Sequence, residues 1–307
     1  MGKKDTLTKQ YLAQNDVFAD AFNYFLFQGK KVIKAKDLKE QDATELAVIQ
    51  KLGKVFASQK MRDVLKLCTI KHSSIATLVL LGIEGQANIH YAMPVRDYLY
   101  DALNYASQVE AIRKGHEKVG DLKGDEKLSG FAKNDHITPV ITLCICFDKK
   151  EWDAPRSLYD MFGKVDPRIK EYVDDYRLNL ITPNEISDFK KFTSGLGFLL
   201  EFIHNSDDKE SLRDIIKARE DENVDIRTVD MINTYTGANI STKNAKGGQV
   251  KVCQALKEIM EEERDEGADM LARLLKAIQP GSKDFDKALN ASAAERKKLY
   301  KKYKIID

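Results

Sequence analysis

An apolar run that ends in a carboxylate constrains the fold of this chain most. Residues 76–83 read Ala-Thr-Leu-Val-Leu-Leu-Gly-Ile, and Glu84-Gly85-Gln86 follows directly. A strand that is apolar without alternation is covered on both faces of its sheet. A carboxylate after such a strand has to be solvated, paired or bound to a metal, because an isolated buried charge is very costly. The run therefore predicts a buried strand with a polar site at its end.

The residues around Glu84 add to this prediction. Glu84 and Gln86 are two positions apart, so in an extended chain their side chains point to the same face of a sheet. Gly85 lies between them and has no side chain, which suits a bulge or the close approach of another backbone, such as a nucleic-acid strand. Asp63 begins the preceding apolar run. If the two runs pair as a hairpin, both carboxylates reach one site.

The order of these residues resembles the catalytic pattern of the PD-(D/E)XK nucleases. Residues 89–96, Ile-His-Tyr-Ala-Met-Pro-Val-Arg, and residues 99–102, Leu-Tyr-Asp-Ala, narrow the resemblance to the recombination-promoting nucleases. Members of that family are also described as transposase-like, and they favour Gln where the motif has Lys. Further matches are Phe18-Ala19-Asp20 with Asn23 upstream, and Pro139-Val140-Ile141-Thr142 with Trp152 downstream. The resemblance covers residues 5–205.

The resemblance implies a fold and a division of the chain. The expected class is α/β with a mixed sheet, as a restriction-endonuclease-like core over residues 1–183. Residues 184–307 are expected to form a mainly helical carboxy-terminal region. Strands are predicted near Asp63, over residues 75–86 and over residues 137–147, with helices on either side.

The resemblance also implies a metal-dependent DNA endonuclease, linked to recombination or mobile elements. Asp63, Glu84 and Gln86 are its expected catalytic residues, and Asp63, Glu84 and Asp20 are expected to hold Mg²⁺ or Mn²⁺. Mg²⁺ takes oxygen ligands, usually one or two carboxylates with waters and substrate phosphate. It would activate a bound water and neutralise charge on the scissile phosphate. Gln86 can position that water, but a neutral amide is too weak a base to deprotonate it.

Two of these residues have a competing interpretation. Asp20 is as well explained by a solvated helix face as by a metal ligand. Arg96 lies near the start of a helix that Pro94 is expected to open. Its guanidinium is expected to contact DNA phosphate or to form a salt bridge with Asp97 or Asp101. The buried stripe of this helix is predicted from its apolar spacing to be Val95, Leu99, Leu103, Ala106 and Val109.

Composition narrows the class of protein further. The chain has 307 residues and a formal net charge of +2, which neither requires nor excludes DNA as a partner. No apolar stretch reaches the ~20 residues of a membrane span, so no membrane association is expected. The four cysteines form no Cys-x-x-Cys pair and are expected to be reduced and buried, which predicts a cytoplasmic protein. No P-loop, nucleophile elbow or dinucleotide fingerprint is present.

The carboxy-terminal region leaves one alternative open. Residues 249–278 have the spacing of a long amphipathic helix, which could pack on the rest of the chain or pair with a second copy in a homo-oligomer. A chain of this kind could also be a nuclease-like module without catalysis that binds DNA or another protein. The presence of Asp63, Glu84 and Gln86 together favours the enzyme, because an inactive relative would be free to lose them.

Overall fold

The chain has a mixed α/β fold built on a five-stranded sheet. The computed structural model describes residues 2–40, 64–72, 75–243, 245–252 and 269–305. The sheet has the strand order β1-β2-β3-β4-β5. Its strands are β1 (Leu38–Glu40), β2 (Val64–His72), β3 (Ile75–Gln86), β4 (Val140–Cys146) and β5 (Leu180–Ile181). The predicted α/β class with a mixed sheet is therefore confirmed.

The strand directions place the polar end of the apolar run. β1, β2 and β3 are antiparallel neighbours, whereas β4 and β5 run parallel to β3. The β2–β3 register pairs Val64 with Ile83. The β3–β4 register pairs Glu84 with Cys144. The carboxyl ends of β3 and β4 thus lie side by side, and Glu84 belongs to the last three residue pairs between these two strands.

Helices lie before, between and after the strands along the chain. The bounds of the longer ones are α1 (Lys3–Leu12), α2 (Asn15–Phe27), α3 (Met93–Val119), α4 (Gly124–Ser129), α5 (Pro167–Lys170), α6 (Gly195–His204), α7 (Lys209–Ala218) and α8 (Ile226–Thr236). Three-residue 3₁₀ turns lie at Pro183–Glu185 and Phe189–Lys191. Helix α2 ends at Gln28, which caps it in the left-handed conformation with φ 55°.

The two faces of the sheet are covered by different helices. One face of β2 carries Lys66, whose Nζ donates to the carbonyl of Ala13 at 2.6 Å, just after α1. The same ammonium lies 5.5 Å from the ring centroid of Phe18 in α2. The other face carries Cys144 and Cys146, against which Met93 at the start of α3 packs. The α3 side is the face that bears Glu84, because Glu84 and Cys144 are register partners.

Helix α3 is turned by about half a revolution from the predicted orientation. Val95, Leu99 and Val109 of the predicted stripe are 45%, 38% and 36% exposed, so that prediction is wrong. The residues that α3 buries are mostly polar: Met93, Pro94, Asp97, Tyr100, Asp101, Asn104 and Ser107. The reason lies in the sheet, since Thr142 on β4 donates from Oγ1 to the carboxylate of Asp101. The helix packs by hydrogen bonds as well as by apolar contact.

Contacts divide the chain into two compact units. The first contains residues 1–213 and 227–238, and the second contains residues 214–226 and 239–307. The first unit runs past position 184, where the carboxy-terminal region was expected to begin. The second unit contains a small antiparallel pair, β6 (Asn223–Asp225) with β7 (Gln249–Lys251).

The second unit also contains helices near the end of the chain. Residues 269–277 are helical, followed by α10 (Lys283–Asn290) and α11 (Ala293–Lys302). The helical stretch is α9 in the numbering used here. Gln249–Lys251 is a strand, so the predicted helix does not begin at Gln249, and its residues 253–268 lie outside the described residues.

Two predictions from composition can be compared with the fold. Cys68, Cys144 and Cys146 are free and buried, as expected, whereas Cys253 lies outside the described residues. Every helix within the described ranges is too short or too polar to cross a bilayer.

Candidate functional site

The candidate site is built where β3 and β4 end beside the first turns of α3. Glu84 is 1% exposed, although it carries a carboxylate. One of its oxygens, Oε1, accepts a hydrogen bond from Nε2 of Gln86 at 3.0 Å and forms an ion pair with the guanidinium of Arg96. Glu84 is thus buried at the end of the apolar run, where Gln86 donates a hydrogen bond to it and Arg96 supplies an opposite charge. The predicted shared face of Glu84 and Gln86 is confirmed.

Arg96 connects α3 to the end of β3. Its side chain is 25% exposed, so the guanidinium is reachable from solvent while it contacts Glu84. Its Nε donates to the hydroxyl of Tyr100 at 3.1 Å, and its Cζ lies 5.7 Å from the centroid of that ring. Neither interpretation of the sequence had named Glu84 as the partner of Arg96. The salt-bridge interpretation was right in kind and named different carboxylates.

Two further carboxylates are buried beside this pair. Asp97 is 1% exposed and Asp101 is 7% exposed. The two oxygens of Asp101 accept hydrogen bonds from Thr142 and, at 2.7 Å, from the hydroxyl of Tyr176. The negative charge of Asp97 reaches Cys144, which lies opposite Glu84 in the sheet. Asp97 and Glu84 therefore belong to one electrostatic neighbourhood.

The charges of Asp97 and Arg96 shift the pKa values of two neighbouring side chains. Burial, followed by the negative charge of Asp97, raises the pKa of Cys144 well above its ordinary value. Burial, followed by the positive charge of Arg96, lowers the pKa of His90, so its imidazole is neutral at pH 7. Nδ1 of His90 is buried and has no hydrogen-bond partner within the described part of the chain. Cys144 is therefore a protonated thiol at neutral pH, and it cannot act as a thiolate nucleophile or metal ligand.

The structure places Asp20 in a capping position. Asp20 is 2% exposed, and its oxygens accept bonds from the backbone N–H groups of Thr193 and Ser194 at 2.8–3.0 Å. They also accept bonds from the hydroxyls of both residues, at 3.0 Å and 2.6 Å. Ser194 is in turn the N-cap of α6. A carboxylate at a helix start satisfies donors that have no partner inside the helix. Asp20 joins α2 to the start of α6, and its role as a metal ligand stays a prediction.

Asp63 precedes Val64, the first residue of β2, and lies outside the described residues. Among the residues that are described, no group of three or more His, Cys, Asp or Glu side chains is placed to hold a metal ion. The donor chemistry near Glu84 nevertheless suits Mg²⁺ or Mn²⁺, because a buried carboxylate and a neighbouring amide offer hard oxygen atoms. A magnesium site needs only one or two protein carboxylates, so Glu84 and one further residue would suffice.

The sequence missed Asp97 as a member of the site. The signal that could have identified it is the spacing of Asp97, Asp101 and Asn104, which falls on one face of a helix at i, i+4 and i+7. Because that face is polar, a search for an apolar stripe passes over it.

The chain matches no protein-family model, no curated protein and no solved structure. The resemblance to the recombination-promoting nucleases thus rests on the short motifs quoted above.

Proposed function

We propose that this chain is a Mg²⁺-dependent endonuclease that hydrolyses phosphodiester bonds in DNA on a PD-(D/E)XK-like core. The observation that carries the proposal is the position of Glu84, a carboxylate 1% exposed at the carboxyl end of β3. Open α/β sheets bind their ligands outside the carboxyl ends of parallel strands. Gln86 and Arg96 lie at the same end and contact the same oxygen of Glu84. Such a group of residues can bind an anion or a metal, and the sequence motif favours a nuclease.

The second carboxylate of the proposed site is Asp63. Val64 pairs with Ile83 at the end of the β2–β3 ladder. The proposal requires that this register continue by one residue, which would set Asp63 opposite Glu84. Two carboxylates at that separation can share one divalent cation. When bound, the cation would polarise the scissile phosphate and lower the pKa of a coordinated water.

Gln86 and Arg96 have distinct parts in this proposal. The amide nitrogen of Gln86 orients the carboxylate of Glu84, and in this proposal the amide oxygen accepts a hydrogen bond from the attacking water. The guanidinium of Arg96 moves from Glu84 to a phosphate oxygen of DNA once a metal supplies the positive charge that Glu84 needs. Arg is suited to that exchange because its planar fork bonds carboxylates and phosphates alike.

A second candidate function is a nuclease-like module that binds DNA or protein without cutting. The observation that favours it is the same ion pair, since a carboxylate already neutralised by Arg96 can be purely structural. The two candidates make opposite predictions about metal. The enzyme binds Mn²⁺ through Glu84, whereas in the module the charge of Glu84 is satisfied within the chain.

The test is cleavage of supercoiled plasmid by the purified chain, with Mg²⁺, with Mn²⁺ and with EDTA. The expected result is conversion to the nicked or linear form only with metal, and its loss in Glu84→Gln. The matched control is Glu171→Gln, an exposed carboxylate with no side-chain bond in the described part of the chain. Thermal unfolding of each variant shows that the fold survives. Cleavage by Glu84→Gln at the rate of the control would reject the enzyme in favour of the module.

Pairing of two copies through residues 249–278 and residence in the cytoplasm remain proposals as well. Sedimentation of the full chain and of a variant with charged substitutions in residues 269–278 would test the first of these.

A further inference from the structure

A cavity at the edge of the sheet lies apart from the residues of the Glu84 site. Its volume is about 260 Å³. It is lined by Tyr24, Phe25, Gln28, Leu180, Ile181, Thr182, Glu185, Ile186 and Lys191. Ligand pockets usually measure about 300–1,000 Å³, so this one has room for a small molecule only. Its wall combines apolar and aromatic side chains with a few polar groups, as ligand pockets do.

One buried polar group in the wall has no partner. Thr182, directly after β5, is 1% exposed, and its Oγ1 has no hydrogen-bond partner among the described residues. A buried hydroxyl without a hydrogen-bond partner lowers the free energy of unfolding and so destabilises the fold. Unsatisfied groups of this kind are rare in folded chains and call for an explanation such as a missing ligand. A ligand atom in the cavity would supply the partner.

The end of α2 carries a second unfavourable feature. Gln28 adopts the left-handed conformation, φ 55°, that glycine adopts at far lower cost. Gly29 follows it, and a Cβ on Gly29 would lie 2.6 Å from the carbonyl oxygen of Lys191. The backbone of α2 thus approaches the segment carrying Lys191 closely. A glutamine at this position is unfavourable for the fold, and its side chain lines the cavity.

The charges around the cavity point to an anionic ligand. Both oxygens of Glu185 are bonded by the guanidinium of Arg156, so this carboxylate is already neutralised. Asp188 accepts a hydrogen bond from the backbone N–H of Lys190 and is exposed to solvent, and its negative charge reaches Tyr24. The ammonium of Lys191 is exposed and forms no ion pair in the parts of the chain that the structure describes. Lys191 is therefore the cation in the cavity wall that can pair with an anionic ligand.

The aromatic wall is held rigidly. Tyr24 stacks on Phe192, with ring centroids 4.1 Å apart and planes 15° from parallel. The bonds from Thr193 and Ser194 to Asp20 tie the same segment to α2 one turn earlier. Pre-formed walls lower the entropic cost of binding.

We propose that this cavity binds a small organic carboxylate with a compact aromatic or branched apolar body. Lys191 pairs with its carboxylate, the hydroxyl of Thr182 and the amide of Gln28 bond its polar atoms, and Phe25 with Ile181 and Ile186 contacts its apolar body.

The test uses three probes of the same shape and different charge: benzoate, benzamide and benzylamine. Binding to the full chain is measured by calorimetry and by saturation-transfer NMR. The expected order is benzoate at least about tenfold tighter than benzamide, because a hydrogen bond between two charged groups is stronger than one to a neutral amide. Benzylamine is expected to bind weakest.

Three variants test whether the probes bind in this cavity. The melting temperature of each variant is a second measurement beside its affinity for the probes. Lys191→Met should remove the preference for benzoate over benzamide without changing the melting temperature. Thr182→Val, which has the same shape, should weaken benzoate binding and raise the melting temperature of the free chain. Gln28→Gly should do the same, since glycine relieves the left-handed backbone. Arg168→Met is the control, because this cation is 86% exposed and forms its ion pair with Asp166.

Every other outcome overturns the proposal. Equal binding of the three probes, or a preference for benzylamine, would show that Lys191 does not select the ligand. Benzoate binding that survives all three variants would place it elsewhere on the chain. No binding of benzoate, with a melting temperature lowered by Thr182→Val, would show that the hydroxyl has a structural partner.

Discussion

The guanidinium of Arg96 forms an ion pair with the carboxylate of Glu84 at the end of β3. The carboxylate of Glu84, the candidate metal ligand, is therefore already paired with a positive charge when no metal is bound. The same contact explains how a carboxylate that is 1% exposed can remain ionised. In the proposed enzyme, metal and guanidinium compete for Glu84, and this competition can be measured.

Arg96→Ala should destabilise the fold and make it respond to metal. Loss of the guanidinium removes an ion pair from the buried carboxylate of Glu84, which should lower the free energy of unfolding by about 3 kcal/mol. Mn²⁺ should then raise the melting temperature of Arg96→Ala more than that of the unmodified chain. The double variant Arg96→Ala with Glu84→Gln should recover stability and lose the response to metal. Equal shifts by Mn²⁺ in all of these proteins would contradict a metal site at Glu84.

Arg96 should also contribute to DNA affinity. If its guanidinium reaches a phosphate, Arg96→Ala weakens association and lowers the slope of log affinity against log salt by about one unit. Fluorescence anisotropy of a labelled duplex at several salt concentrations measures that slope. Arg168→Ala is a control for the loss of one surface charge. An unchanged slope would confine Arg96 to its bond with Glu84.

Substitutions at Asp63 and Glu84 should affect DNA cleavage without weakening DNA binding. Alanine at either position is expected to abolish metal-dependent cleavage, while DNA binding persists or tightens because a carboxylate no longer repels phosphate. Gln86→Ala should be milder, since a water can partly replace a positioning amide. Gln86→Lys should retain or raise activity, because the ammonium can bond Glu84 and adds positive charge near the phosphate. Cleavage by Asp63→Ala at the unmodified rate, with contaminating nuclease excluded, would refute the proposed mechanism.

Asp20→Asn distinguishes a cap from a metal ligand. The amide cannot accept on both sides, so some of the donors on Thr193 and Ser194 lose their partner. A loss of about 1–3 kcal/mol in the free energy of unfolding by urea is expected, with cleavage unchanged under folding conditions. A variant that keeps its stability and loses cleavage would instead make Asp20 a metal ligand.

His116 near the end of α3 should make stability depend on pH. Its Nδ1 lies 2.8 Å from Asp121 and its Nε2 lies 2.9 Å from Asp135. The bond with Asp121, followed by the bond with Asp135, raises the pKa of His116 above its ordinary value. Because the folded pKa exceeds the unfolded one, this stabilisation is fully present below the unfolded pKa and is lost as pH rises through the folded pKa. Melting temperatures from pH 5 to pH 9 should show the loss, and His116→Gln should remove it. The exposed His136 provides the control variant.

The sheet was accessible to sequence reasoning, and the packing of α3 was not. The unbroken apolar run over residues 76–83 predicted β3 as a buried strand, because its length favours a strand over a helix. Residues 79–83 are buried as expected, whereas Leu78 near the start of the strand is 45% exposed. The orientation of α3 depends instead on what the sheet presents to it. Thr142 and Glu84 offer hydrogen bonds, so Asp101 and Arg96 turn inward and Val95 turns out. No rule that uses apolar periodicity alone can predict that outcome.

The residues of the candidate site likewise divide into those whose position could be predicted from the sequence and those whose partners could not. The spacing of Glu84 and Gln86 along one strand was enough to place both on one face. The partner of Asp20 is Thr193, 173 positions away, and that distance along the chain explains why the capping role was missed. The partner of Arg96 is only 12 positions away, but it depends on how a helix folds back over the strand that precedes it.

The shortness of β5 has a consequence for the behaviour of the protein in concentrated solution. This edge strand pairs with β4 through Leu180 and Ile181, and Pro183, which has no backbone N–H, follows two positions after Ile181. Exposed strand edges are templates on which a second chain can add a strand and begin to aggregate. Two residues and a proline offer such a chain almost no ladder to extend. This side of the sheet is therefore protected against fibril-like growth, and a substitution such as Pro183→Val would remove part of that protection.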